Sequence, residues 1–241
     1  MNIELDVHTH TIVSGHAYST IREMAKEASR KRLKLLGITE HAPGIPGTCS
    51  PIYFENLKVV PREMYGVELL LGAEINILDY DGKLSLEDRI IDKLDIRIAG
   101  IHDLCYTPGT VEQNTNAIIG AIKNSKIDII SHPADGACVL NYELIVQAAK
   151  KYNTLLELNN NSLNPINKRN NARENNIQML ELCKKYSVPI ILASDAHIDI
   201  DIGSYNYAYE IIREADFPEE LIINYSVVNF KNIIKLNRVC K

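Results

Sequence analysis

The feature that most constrains this chain is a repeated alternation of two kinds of segment. Short apolar, β-branched runs occupy residues 3–10, 33–40, 67–77, 94–102, 127–132, 154–159 and 189–197. Stretches with helical period lie between them at 21–31, 111–123, 142–151, 176–185 and 207–215, and a short helix is expected after Ser226 through Phe230 to Leu236. Thr20-x-x-Glu23 and Thr110-x-x-Gln113 are capping boxes that mark two helix starts. Strands covered by helices on both faces read as continuous apolar runs, so the pattern predicts an α/β fold with a parallel sheet. Repetition of β-then-α units along 241 residues favours a distorted seven-stranded (β/α)7 barrel, TIM-barrel-like, in one domain spanning 1–241. Residues 43–61 are rich in Pro and Gly with little period, and are expected to form a lid or pocket wall.

Composition narrows the function classes. The net charge of −5 leaves no basic surface for an extended nucleic-acid tract or an anionic membrane. No apolar run reaches the ~18 residues of a membrane span, and the opening MNIELDVHTH lacks a basic, apolar leader, so a cytoplasmic chain is expected. Cys49, Cys105, Cys138, Cys183 and Cys240 are scattered with no C-x-x-C pair, and read as reduced thiols.

The histidines carry the chemistry. There are 7, and His8, His10, His41, His102, His132 and His197 all fall at or just past the C-terminal end of an expected strand; His16 follows in the loop after the first. In a parallel α/β fold those ends open onto one rim, where residues distant in sequence converge. Side chains at i and i+2 on a strand share a face, which pairs His8 with His10 and Asp195 with His197. A lone histidine at such a place is more often a core group with its hydrogen bonds satisfied. Two such pairs with three further strand-end histidines point instead to transition-metal ligation, for which neutral imidazole is the commonest ligand.

Two carboxylates join them. Glu74 ends the run Leu69-Leu70-Leu71-Gly72-Ala73, where an unpaired charge is costly to bury and a bridged pair of ions removes that cost. Asp195 makes the same argument at another rim position. Asp6, on the face of His8, is expected to hold an imidazole from behind. The candidates His8, His10, His16, His41, Glu74, His102, His132, Asp195 and His197 exceed what one tetrahedral site needs, and suit two or three ions.

The motifs Asp6-Val7-His8-Thr9-His10, Ile38-Thr39-Glu40-His41, Gly72-Ala73-Glu74, Gly100-Ile101-His102, Ile130-Ser131-His132-Pro133 and Ala193-Ser194-Asp195-Ala196-His197 resemble the PHP (polymerase and histidinol phosphatase) family, in order and spacing along the whole chain. Val13 to Thr20, Leu156 to Ser162 and Asp216-Phe217-Pro218 are most similar to its stand-alone, YcdX-like phosphatase branch. The resemblance implies a barrel with a trinuclear centre on its C-terminal rim. One ion would take His8, His10, Glu74 and Asp195; a second would share Glu74 and add His102 and His132; the third would take His16, His41 and His197. Zinc is the first expectation for all three, with manganese or iron as alternatives. The loops after His102 and Pro133 depart from the family pattern and leave the substrate open.

Clustered divalent ions provide hydroxide near neutral pH and clamp phosphoryl oxygens for in-line displacement. The expected activity is therefore hydrolysis of a small phosphomonoester by a metal-bound hydroxide, with Glu74 linking ions and Asp195 orienting the nucleophile or carrying its proton. Arg62 and Asn159 are candidate substrate contacts, with Arg22, Lys168 and Asn161 behind them. A phosphodiesterase or exonuclease is the first rival, an amidohydrolase-like C–N hydrolase the second, and a non-catalytic metal-binding module the last. The sequence leaves the oligomeric state open.

Overall fold

The structure, a computed structural model, describes residues 2–240. Seven parallel strands are hydrogen-bonded in the order β1-β2-β4-β5-β6-β7-β8. They are β1 (Leu5–Asp6), β2 (Leu35–His41), β4 (Val67–Asn76), β5 (Ile96–Gly100), β6 (Ile129–Ile130), β7 (Leu155–Asn159) and β8 (Ile190–Ala193). The short β3 (Glu63–Met64) pairs antiparallel with β4 and was not expected. The helices are α1 (Ile21–Arg30), α2 (Pro51–Asn56), α3 (Asp88–Ile91), α4 (Val111–Lys123), α5 (Tyr142–Tyr152), α6 (Ala172–Tyr186), α7 (Asn206–Glu214) and α8 (Val227–Cys240). Both capping boxes form as expected, with Thr20 accepting from the Glu23 N–H and Thr110 from that of Gln113. Among the described residues no helix is long and apolar enough to cross a membrane. Cys49, Cys105, Cys138 and Cys183 are free thiols, and the side chain of Cys240 lies outside the described residues.

Segment 43–61, expected as a lid or pocket wall, carries a short helix, and its Ile45 lines the cavity at the strand C-termini. Pro51 opens α2 at a first-turn position, where its missing N–H costs nothing, and Phe54 and Leu57 are buried. The segment is thus packed onto the barrel.

Alternation along the strands divides the barrel into two zones. Leu5, Leu35, Ile96, Ile98, Ile129, Leu155 and Ile191 fill the interior toward the strand N-termini, with Ile223, and Phe230 and Ile234 of α8, packed against them. The next inward positions toward the C-termini change character: after Leu155 come Glu157 and Asn159, and after Leu70 and Gly72 comes Glu74. Gly72 is forced by the close approach of β5, because a Cβ there would lie 1.9 Å from the Ile96 carbonyl oxygen.

Closure is nearly complete. β8 and β1 are joined at the top by a parallel bridge between Thr9 and Ala196, with the His10 N–H donating to the Ala196 carbonyl at 2.9 Å. Lower down the buried Asn224 spans the seam. Its Oδ1 accepts from the Leu192 N–H at 2.7 Å, and its Nδ2 donates to the carbonyls of Leu192 (2.8 Å) and Leu5 (3.1 Å). Replacing Asn224 with Leu strands a buried N–H and two carbonyls. The expected loss is roughly 3 kcal/mol, read as a lower urea midpoint at unchanged slope.

Candidate metal centre

Eight of the nine expected ligands lie at or just past a strand end. The chain leaves regular strand after Asp6, and His8 and His10 follow; His41 is the last residue of β2, and Glu74 lies near the end of β4. His102, His132 and the Asp195/His197 pair come just after β5, β6 and β8. His132 (φ 31°) and Asp195 (φ 53°) both sit in the left-handed region, which side chains other than Gly occupy at a cost and which clusters at functional sites. His16 arrives by a 3-10 turn, Ile12–Ser14, reversed at Gly15 (φ 87°), where a Cβ would strike the Gly47 backbone at 2.5 Å.

The side chains converge on Glu74. Its Oε2 lies 2.8 Å from His41 Nδ1, 3.4 Å from His8 Nε2 and 3.6 Å from His10 Nε2. Its Oε1 lies 2.7 Å from His132 Nε2 and 3.2 Å from His102 Nε2, and accepts from Ser131 Oγ at 2.9 Å. Asp195 Oδ1 is 3.2 Å from His10 Nε2 and 3.5 Å from His8 Nε2. His197 Nε2 and His16 Nε2 approach to 3.1 Å.

Proton placement tests whether these groups suit a cation. His8 Nδ1 donates to Glu157 Oε1 at 2.7 Å, and His197 Nδ1 to the Asp195 carbonyl at 2.9 Å. Ser14 Oγ donates to Glu40 Oε2 at 2.6 Å, so it accepts from His10 Nδ1 at 3.0 Å. With neutral rings the Nε2 atoms of His8 and His10 are bare lone pairs facing each other at 3.0 Å beside two carboxylate oxygens, so either a cation or a proton on His8 must stand between them. Among the described residues His41 Nδ1, Glu74 Oε2 and both nitrogens of His102 are buried without a hydrogen-bond partner. Ring nitrogens left without partners around a buried carboxylate have no reason to converge in a core, and every reason to converge around cations. Three overlapping groups have metal-binding spacing: His8/His10/Glu74, His10/His41/His197 and His41/Glu74/His102. The shared members make one continuous cluster, and His41 stands closer to Glu74 than the expected three-way division placed it. Nitrogen and oxygen donors of this kind suit zinc, manganese and iron.

The same contacts set the protonation of the site. Burial alone would raise Glu74, but the imidazoles of His102, His8 and His41 hold it well below the carboxylate range. Asp195 is lowered likewise, against its burial, by His8, His10 and His197. Burial lowers His10, His16 and His102. It would also lower His8, but Glu157, Glu74 and Asp195 reverse that and push it well up; His132 is pushed up to about 9, against its burial, chiefly by Glu74.

The cluster floors a cavity of about 650 Å³. Its walls include Asp103, Asp135, Asn161, Lys168 and Arg169. Of the expected substrate contacts, Lys168 and Asn161 line it; Arg62, Asn159 and Arg22 do not. Arg62 is at the other end of the barrel, its guanidinium donating to the Leu57 and Val60 carbonyls and paired with Asp95 at 2.6 Å. Asn159 is buried and fully engaged, donating to Glu157 Oε2 (3.1 Å) and Asp195 Oδ2 (3.3 Å) and accepting from the Ser162 N–H. Arg22 is exposed on α1 against Tyr65. Asp6 holds no imidazole: its carboxylate accepts from the N–H groups of Ser194 (3.3 Å) and Gly203 (2.8 Å) and so anchors the loop after β8. The sequence reading missed Glu157, which holds His8; Glu40, which holds Ser14; and Arg169, whose Nη1 lies 3.2 Å from the buried Asp135. A charge inside the apolar run Leu155 to Leu158 is the signal that flagged Glu74, and it would have found Glu157.

With this geometry in place, likeness to known proteins becomes informative. The PHP domain family matches residues 6–219. The chain belongs to that family. It is 44% identical over 237 residues to a probable phosphatase of Caldicellulosiruptor saccharolyticus, covering 98% of each chain. It is 47% identical over 224 residues to one of Clostridium novyi, covering 93% of this chain and 91% of the other. Two solved PHP structures share its fold. The histidinol phosphate phosphatase of Lactococcus lactis, complexed with zinc, L-histidinol and phosphate, superposes with a TM-score of 0.59 at 17% identity, over 89% of this chain and 94% of that one. A putative histidinol phosphatase of Listeria monocytogenes gives 0.58 at 18% identity, over 85% and 99%.

The protonation pattern predicts a pH dependence for chelator-treated protein. His132 and His8 have folded pKa values above their unfolded value near 6.5, so their stabilisation is fully present below pH ~6.5 and is lost as pH rises through the folded values, about 9 for His132. His10, His16 and His102 lie below 6.5, so they oppose folding at lower pH, and that cost has gone by pH ~7.5, where their unfolded forms are neutral too. Urea midpoints of the stripped protein should therefore fall between pH ~7.5 and 9. Because Arg62 is held at the barrel base by the Leu57 and Val60 carbonyls and Asp95, Arg62→Ala should lower the urea midpoint and leave the KM of any phosphoester substrate unchanged.

Proposed function

We propose that this protein is a metal-dependent phosphatase that hydrolyses a small phosphomonoester at a trinuclear divalent-metal centre. The observation that carries this reading is the face-to-face approach of the buried His8 and His10 Nε2 atoms at 3.0 Å, beside Glu74 and Asp195, directly behind a pocket that Glu74, Asp195, His41 and His102 line. His8, His10, His16, His41, Glu74, His102, His132, Asp195 and His197 would hold the ions, zinc first, with manganese or iron as alternatives. Divalent ions there supply charge neutralisation at the phosphoryl oxygens and a nucleophile at neutral pH.

The chain's own groups divide the remaining work. Glu74 presents both oxygens to opposite sides of the cluster and so ties its two halves together. Asp195 lines the cavity with Oδ2 within reach of Asn159 (3.3 Å) and Asn161 (3.4 Å), which fix its plane while Oδ1 faces His10. A carboxylate so held, kept ionised by its imidazoles, can orient an attacking water and take its proton. Lys168 and Arg169 put positive charge on the wall, where an anionic substrate enters. A cavity of about 650 Å³ suits a metabolite. The net charge of −5 disfavours a polynucleotide. The relatives named above are probable phosphatases, which agrees with this reading.

The test is metal analysis of protein purified without chelator, followed by p-nitrophenyl phosphate and bis-p-nitrophenyl phosphate assays. Two to three transition ions per chain with monoester turnover is the expected result. Diester turnover alone would move the assignment to a phosphodiesterase, and no metal after reconstitution would overturn it. His8→Ala should lower turnover by more than the ~100-fold typical of losing an outer partner of a ligand, with a native far-UV spectrum.

A further inference from the structure

Behind the cluster lie Glu157 and Glu40, buried carboxylates that no ion pair with Lys or Arg compensates among the described residues. Glu157 serves one side. It accepts from His8 Nδ1 at 2.7 Å, from the His132 N–H at 2.5 Å and from Asn159, which in turn bonds Asp195. Glu40 serves the other. It lies on the face of β2 opposite His41. It accepts from Ser14 Oγ at 2.6 Å, from the Thr11 N–H at 3.1 Å and hydroxyl at 2.5 Å, and from the Tyr53 hydroxyl at 3.4 Å.

The Ser14 hydroxyl is the hub of this second network. Its one proton goes to Glu40, and its lone pairs receive His10 Nδ1 and the His41 N–H, each at 3.0 Å. The Thr11 bonds pin the base of the 3-10 turn from which His16 follows. One carboxylate therefore orients His10, His41 and His16, the imidazoles grouped with His197, whose rings lie 4.2–4.9 Å apart as His10–His41, His10–His197, His16–His197 and His16–His41. Glu157 touches none of those three.

We infer that Glu40 and Ser14 are positioning residues for His10 and His41, and that the zinc affinity of the centre is set through them as well as through Glu157. This rests on the metal-centre reading above. A carboxylate one hydroxyl away from His10 fixes the tautomer that leaves Nε2 bare and makes that nitrogen a better donor. Tyr53 extends the network into α2, so the packed segment 43–61 bears on the same end of the site.

The experiment is a zinc titration of chelator-stripped protein, competed against a chromophoric chelator, with thermal melts of the same stripped samples. Glu40→Gln should weaken zinc binding by ~10–100-fold while the stripped protein melts as the wild type does. Ser14→Ala should weaken it likewise, and the Glu40→Gln/Ser14→Ala double variant should be no worse than the stronger single. Glu157→Gln combined with Glu40→Gln should weaken binding further than either alone. Ser14→Ala carries the test if Glu40→Gln fails to fold. A purely structural role would lower the melting temperature of the stripped variants, and that result overturns the inference. Wild-type affinity for every ion in both Glu40→Gln and Ser14→Ala overturns it too. A wild type that takes up no zinc overturns the metal-centre reading itself, which separates the two failures.

Discussion

Everything at the top of this barrel answers to one buried carboxylate. Glu74 is 1% exposed on the inner face of β4 and lies within 3.6 Å of a nitrogen from each of five histidines. A lone carboxylate in that position is expensive, and neutral imidazoles whose lone pairs face it do not compensate it. Positive charge must enter, as protons on His8 and His132 or as cations among all five rings. The outer network follows from the second alternative. Glu157, Ser14 with Glu40, and the Asp195 carbonyl each draw one ring proton away from the centre, leaving the inner nitrogen free. Such outward pulls would be redundant if the rings merely had to bond Glu74.

How far the sequence revealed this depends on what each feature encodes. Strand-end histidines were legible because parallel topology sends every strand C-terminus to one rim, whatever the details of packing. Val111–Lys123 was legible to the residue because its capping box and apolar period agree. The start of α6 was not: Ala172 to Asn175 precede the apolar stripe, and Asn171 enters in the left-handed region with no side-chain cap. Pairing within the cluster was only half legible. The i, i+2 rule brings His8 and His10 together, but Asp195 reaches the site through a positive φ beyond the end of β8, which the rule does not describe.

Arg62 and Asn159 show a different limit. Both were chosen for a polar group near the expected rim, and chain distance to a strand does not say which end of it a side chain serves. Arg62 precedes β4 and lies at the barrel base, where loop carbonyls and Asp95 consume its donors. Asn159 is at the rim, yet its amide is committed to two carboxylates that must stay apart without repelling. Which donors and acceptors are already satisfied separates residues that face the cavity from those that hold the cluster, and packing decides that, not position along the chain.

The two zones of the barrel also explain how so strained a rim is tolerated. At the base, α8 closes the interior with Phe230 and Ile234, and its Arg238 grips the buried Asp128 at 2.7 and 2.9 Å, while Asp128 also accepts the Arg97 N–H at 3.0 Å. Those contacts are apolar or internally paired, so they need nothing from solution. The rim holds the opposite: left-handed His132 and Asp195, lone pairs in opposition, and carboxylates without cations. Folding free energy generated at the base holds the rim in a geometry it would not adopt unaided, and a cation bound there returns part of that energy. Ligand geometry set by the scaffold before the cation arrives is the condition for catalysis by positioned charge. It follows that stability and function reside at opposite ends of the same strands.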